Sequence, residues 1–420
     1  MTELRNTVRK ATLSLALLAG AAWPAQTAKA DPMTIDVVHF WISQSESKAL
    51  DVFRTAWRKD GHEWIDLPAE NKVAVQRVVA ERIASSYPPA VMQWNANEGS
   101  RELPEMGIAL SIDKVAEEEN WREVLPKSVL ERISYKKHVY FAPTNIHAEN
   151  WLWTSRKAFA KAGIAAPETW GDVFEAADKL KAQGILPIAI GGGSWEISLI
   201  FNNLVYYALG AEGYARALRA DAAVMDEPGM TEALQMLRRI SQHVEPEETR
   251  KSKTWADASD MVGSGEAGMQ FMGDWAKGEL YARGYDAEAD FDCKLAPGTS
   301  IAYFMVIDAF AFPLTNREET AAAQYAFAKM VLDPLNQLEF SKLKGSLPVR
   351  MDVNPEGLDR CGKLGLRMIS EQNKVVSAQS MAMPSQMSEG WISVLADFFN
   401  DESISVEEAR KRLRRILEQK

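Results

Sequence analysis

Apolar residues are distributed along this chain in short continuous runs, in helical stripes, and in one long run broken by a single acid. Residues 34–41 (TIDVVHFW) have the apolar density of a buried first strand. Ser43 then opens a helix in which Leu50, Phe53 and Trp57 recur at about the helical period. A second polar–apolar helix covers about 72–85, Pro88-Pro89 stops it, and 90–95 (AVMQWN) reads as the next strand. This alternation predicts an α/β lobe. After a helical hairpin ending near Val129, residues 137–145 are extended, and the passage beyond Pro143 is the expected first crossing into a second lobe. There a strand begins at Asn150, a helix covers 156–162, and Thr169 with Asp172 marks the start of another helix.

The run 185–190 ends in Gly191-Gly-Gly-Ser-Trp195-Glu196, a loop that presents Trp195; it matches neither the Walker pattern nor G-x-G-x-x-G. Helices fill about 197–242. Residues 265–279 (GEAGMQFMGDWAKGE) read as a turn, a buried strand over 267–272, a bend at Gly273 and a helix with Asp274 as N-cap. Trp275 then stands either at the mouth of a strand-to-helix junction, where ligands sit in α/β sheets, or in the core. Residues 293–298 read as a loop back to the first lobe, and 344–350 as a second crossing before a helical C-terminal part. The apolar strand 303–313 contains one acid, Asp308. Buried without partners it would cost several kcal/mol, so it meets either a salt bridge or ligand hydroxyls.

Composition narrows the class. The first 30 residues carry Arg5, Arg9 and Lys10, an apolar stretch over 11–22, and Ala28-Lys29-Ala30, the layout of a cleaved signal peptide. That stretch is too short to span a bilayer, and with no cysteine after the site the expectation is a soluble periplasmic chain starting near Asp31. Four basic residues against Glu3 make the leader +3, so its removal takes the formal charge from −10 to −13. Such an acidic chain is a poor partner for nucleic acid. The remaining length exceeds what one core usually supports and points to two lobes. Five histidines lack paired spacing, so no metal site and no cofactor are expected. Cys293 and Cys361 are compatible with one disulfide or with two buried thiols.

Several runs match a known family. Pro167-x-Thr-Trp with its Ala-Ala-x-Lys-Leu continuation and Gly265-x-Ala-Gly-Met resemble the extracellular solute-binding proteins of sugar ABC transporters, of the maltose-binding-like type. The runs 150–153 (NWLW), 272–279 (MGDWAKGE) and 344–350 (KGSLPVR) resemble the glucose/mannose-binding branch of that family. The resemblance implies a type II, two-lobed α/β periplasmic binding protein with a crossed hinge and the ligand cleft between the lobes. The expected boundaries are 31–143 plus about 298–344 for the N-terminal lobe, and about 144–297 plus 345–420 for the C-terminal lobe. It also implies a Cys293–Cys361 disulfide. A sugar would be contacted by Trp41 and Glu46, its hydroxyls bound by Asp308 and Lys344, and its face stacked on Trp275. Asn145, His147, Trp195 and Glu196 lie in or beside cleft loops, and His147 reads as a satisfied loop histidine rather than a ligand.

Three positions depart from the branch. Phe40 stands where it has a second Trp, Asn95 where it has a lysine, and Gln379 where it has a histidine. Phe40, Asn95 and Gln379 thereby become candidate specificity residues, because a site built on particular hydroxyls rejects analogues without them. The implied role is a non-enzymatic, monomeric sugar receptor that closes on its ligand and delivers it to membrane permease subunits driven by a cytoplasmic ATPase. A sugar receptor for chemotaxis would use the same fold. A secreted glycan-active enzyme would need Glu46 and Asp308 as an acid/base pair.

Overall fold

The chain begins with β1 (Thr34–His39), the helix Gln44–Lys59, β2 (Glu63–Pro68), the helix Lys72–Ala84 and β3 (Val91–Asn95). β1 pairs in parallel with β2 and β3, as strands joined by crossover helices must. At the carboxyl end of β1, Ser43 caps the first helix and the Glu46 carboxylate accepts from the Ser43 N–H, a complete capping box. These coordinates are a computed structural model that describes residues 31–371 and 374–419. The signal peptide expected over 1–30 lies outside the described residues.

After the hairpin β4 (Ser134–Tyr135) and β5 (His138–Val139), β6 (Phe141–Ala148) continues the first sheet. The next strands, β7 (Trp151–Ser155), β8 (Leu186–Ile188), β9 (Ala267–Met272) and β10 (Phe291–Leu295), form a second sheet in the order β10–β7–β9–β8. β11 (Tyr303–Ala311) returns to the first sheet and is joined by β12 (Val375–Ser377), giving β12–β11–β3–β1–β2 with β6 also on β11. β11 is the shared spine. One edge pairs antiparallel with β6; the other pairs with β12 over its first three residues and with β3 from Asp308 onward. Asp308 thus lies where an edge changes neighbours, the kind of place at which open α/β sheets leave a crevice.

Several boundaries differ from the sequence reading. The crossing expected after Pro143 falls inside β6, which pairs with β11 through Ala148, so the chain enters the second sheet only at Trp151. Pro143 is tolerated because the ladder is irregular between Asp308 and Ala309, beside the residue that lacks an N–H. Cys293 and its neighbours form β10 rather than a loop. The C-terminal part is not confined to one side, since β12 pairs with β11.

Trp57, Trp64, Trp121 and Trp170 are buried packing residues. Cys293 on β10 is bonded to Cys361 on the helix Arg360–Ser370, with the Cα atoms 6.1 Å apart. The helix Trp275–Ala282 that follows β9 is tied to the first helix of the chain. Its fully buried Glu279 accepts from the Ser45 N–H at 3.1 Å and from Arg283 Nε at 2.9 Å, and Lys48 Nζ donates to the Ala282 carbonyl at 3.1 Å. A carboxylate at the first turn of Gln44–Lys59 also complements that helix's dipole.

Candidate ligand-binding site

Asp308 meets Asn95 and Asn145 across the two ladders of β11, and Asn95 Nδ2 donates to Asp308 Oδ1 at 2.6 Å. Asn145 and His147 are two residues apart on β6 and therefore share a face. His147 Nδ1 bonds Asp274, and its Nε2 stands 3.3 Å from Asp308 Oδ2 without hydrogen-bond alignment. Asp308, Asn145 and His147 are more than nine-tenths buried and Asn95 is half-buried, with Asp308 itself 5% exposed. Burial alone would raise the Asp308 carboxyl, but His147, Lys344 and Asn145 hold it below the usual carboxylate range. Burial would likewise lower the His147 imidazole, yet Asp274 and Asp308 raise it. Asp308 is therefore ionised at neutral pH. A carboxylate offers about four acceptor positions, and here Asn95 takes one and His147 faces another.

The second sheet supplies an aromatic wall. Trp275 sits edge-on to His147 with ring centroids 5.2 Å apart, and Trp195 is tilted against Trp275 at 6.2 Å. Gly273 permits this: a Cβ there would lie 2.2 Å from Trp275 Cζ3. A Gly273→Ala variant is accordingly expected to stay folded, swing the Trp275 ring out of place and weaken ligand binding about tenfold, on the order of 1.4 kcal/mol. Tryptophan fluorescence and a ligand titration measure the two effects; unchanged emission and affinity would show the ring does not depend on this approach.

Asp274 is not the N-cap that its position suggests. Its side chain makes no cap bond and instead takes His147, the Ala148 N–H at 3.2 Å and the Tyr303 hydroxyl at 3.4 Å. Four binding candidates are engaged within the protein itself. Trp41 is packed between Phe310 and Phe340, 2% exposed, so its ring is core rather than an open stacking face. Gln379 Nε2 donates to Ser388 Oγ at 2.8 Å, turned toward the helix Ser385–Asn400. Glu46 and Lys344 pair with each other at 3.0 Å while Glu46 also serves its capping box, so a ligand would have to share or displace that bond. Glu196 caps its own loop, accepting from the Gly191 and Gly193 N–H groups, and burial pushes its carboxyl up to about 7. It is structural.

His147 lies on a strand, not in a loop, and it organises the site. Lys72, which the sequence reading passes over, is a charge acting on Asp308 from a neighbouring helix. It stands in the first turn of its helix, where a cation opposes the dipole, and that placement is the signal that marks it. Burial lowers its ammonium, and the charges of Asp308 and Glu389 act on it in the opposite sense. Among the described residues, no group of three or more His, Cys, Asp or Glu side chains is placed to hold a metal ion, and no helix is long and apolar enough to cross a membrane.

Residues 49–334 match the family of bacterial extracellular solute-binding proteins. A probable sugar-binding periplasmic protein of Brucella melitensis biotype 1 is 32% identical over 421 residues, 98% of each chain. One of the same description from Rhizobium meliloti is 33% identical over 368 residues, 86% of each. Among solved structures, the bacterial solute receptor AcbH superposes with a TM-score of 0.78 over 92% of this chain and 97% of its own, at 16% identity. Two sheets thus contribute to the candidate site, a cluster of polar groups about Asp308 beside β11 and the adjoining rings of Trp275 and Trp195. The chain belongs to the bacterial extracellular solute-binding protein family, whose members bind solutes rather than transform them.

Proposed function

We propose that this protein is the periplasmic carbohydrate receptor of an ABC importer, taking a mono- or small oligosaccharide and handing it, as a monomer, to a membrane permease. The observation that carries this reading is that His147 stands between Asp308 on the first sheet and the Trp275 ring, itself against Trp195, from the second. A pyranose has hydroxyls at its edge and C–H patches on its faces. Charged acceptors suit the first and tryptophan rings the second. The names of the Brucella and Rhizobium relatives speak of sugar, and AcbH is described as preferring β-D-galactopyranose.

In this reading the first lobe comprises the strands of the first sheet and the second lobe the β7–β10 sheet. The passages at 149–150, 296–302 and 345–350 then form the hinge. Ligand shifts the balance between open and closed forms only by touching both lobes. Asp308 and Trp275 would be the two touching points. The test is a thermal-shift screen of the exported chain against monosaccharides (galactose, glucose and mannose among them), polyols, disaccharides and sugar acids, since a ligand of the native state raises the melting temperature. At least one sugar is expected to stabilise the parent, and Trp275→Ala is expected to lose that shift while keeping its own melting transition. Silence across the panel, or a Trp275→Ala variant that responds like the parent, would overturn the assignment of the site.

A further inference from the structure

Residues 145, 147 and 149 alternate along one face of β6 and its continuation, and each carries a buried polar atom with no hydrogen-bond partner. These atoms are Asn145 Nδ2, His147 Nε2 and Glu149 Oε2. Asn145 and His147 turn toward Asp308, whereas the free oxygen of Glu149, just past the end of β6, is faced by no such group, and a buried acceptor of this kind calls for a donor. Asn145 and His147 already belong to the site described above. Glu149 does not.

Its surroundings are built rather than incidental. The main chain is pinned by the Glu149 N–H donating to the Phe304 carbonyl at 3.0 Å. Ser380 Oγ donates to Glu149 Oε1 at 2.6 Å, and the Ser380 carbonyl in turn accepts from Asn97 Nδ2 at 3.2 Å. One carboxylate oxygen is thus held in place by a segment anchored two residues beyond Asn95, and the other is left open. The side chain is 5% exposed. An acid in such a position is costly to keep unless something donates to it.

We infer that Glu149 is a further ligand-contacting and specificity-determining residue, its Oε2 accepting from a sugar hydroxyl placed along β6 beyond His147. The inference rests on the carbohydrate reading of the cleft. From Asn145 to Glu149 the strand advances about 13 Å at roughly 3.3 Å per residue, so the row is long enough to address more than one edge of the ligand.

The geometry has a titratable consequence. Burial pushes the Glu149 carboxyl up to about 7, against the smaller opposing effects of the Ser380 hydroxyl and the raised His147 imidazole on its own strand. From the long helix Ser194–Leu218, the Tyr214 phenol feels the Glu149 charge and is itself held well above its ordinary value. A hydroxyl donor favours the ionised acid. Binding is therefore weakened below about pH 7, where the proton must first leave, and reaches its full strength above it. For a group titrating near 7 the gain between pH 6 and pH 8 is about tenfold.

The experiment is a calorimetric titration of the exported chain and of Glu149→Gln between pH 6 and pH 8. The probe is the sugar that gives the largest thermal shift in the panel above. Expected is an affinity lower by about tenfold at pH 8 in the variant, with the pH dependence flattened, since a charge-assisted bond is replaced by a neutral one. Ser380→Ala, which keeps the acid but removes its donor, is expected to move the midpoint of the parent profile upward, and it decides the matter should Glu149→Gln fail to fold. A Glu149→Gln protein with the parent's affinity and pH profile, or a Ser380→Ala protein with an unmoved midpoint, overturns the role of Glu149 and leaves the carbohydrate reading standing. A parent that binds no sugar overturns both.

Discussion

An Asp308→Asn variant is expected to fold and to lose sugar affinity by about a hundredfold or more, some 3 kcal/mol. The asparagine keeps the shape and can still meet Asn95 across the ladder, but it no longer offers a charged acceptor to a hydroxyl. Stability should change little because His147 retains its second carboxylate, Asp274. The imidazole stays paired, and its proton affinity falls toward the ordinary value as one of the charges that raise it disappears. Asp308→Ala is the rougher test. It leaves Asn95 Nδ2 without its acceptor and one face of His147 without a counter-charge, a change that in buried ion pairs costs about 3–5 kcal/mol. Calorimetric titration with the sugar found in the panel measures the affinity, and thermal denaturation measures the fold. Retained affinity in Asp308→Asn would remove this acid from the site and with it the central reason for placing the ligand beside β11.

The largest expected effect on stability comes from the disulfide. Cys293 and Cys361 are 68 residues apart, and closing a loop of that length in the unfolded chain stabilises the native state by about 4 kcal/mol in the chain-entropy model. Both sulfurs are buried, so a double Cys293→Ala, Cys361→Ala variant is cleaner than serine, which would bury hydroxyls without partners. The bond joins β10 to the helix Arg360–Ser370, so its loss should loosen the C-terminal part while leaving the crevice residues in place. The expected result is a melting temperature lower by roughly 5 °C, given an unfolding entropy of about 2.1 cal/mol/K per residue, with sugar binding intact at lower temperature. A reductant should lower the melting temperature of the parent and leave the variant unaffected. Equal melting of parent and variant would show that the bond constrains nothing that unfolds in the observed transition.

Much of the fold is legible along the chain because its signals are local. β9 and β11 are mostly apolar runs, and the capping boxes at Ser43 and Thr169 are four-residue patterns that act wherever they occur. β2 is harder to see because its faces are mostly exposed and only Trp64 is fully buried. β6 is masked by Pro143, which reads as a break until its irregular pairing with β11 is known. The candidate site divides in the same way. Asp308 stands out in any reading, as a lone acid in an apolar strand. Trp41 does not declare itself, because an aromatic residue at the end of a buried strand serves a core and a cleft equally well. Asp274 misleads, since the local rule offers a cap and the tertiary structure offers His147.

By itself, then, the sequence determines the strand and helix periods, the caps, the family and the odd acid at 308. These are properties of neighbours along the chain. Only the tertiary structure decides which polar groups share a crevice, because the partners are far apart in sequence: 127 residues from His147 to Asp274, 213 from Asn95 to Asp308, 298 from Glu46 to Lys344. No local pattern carries such a pairing. It arises from sheet register, which sets one face of β6 toward the crevice, and from burial, which forces each enclosed charge to find a partner or to wait for a ligand that brings one.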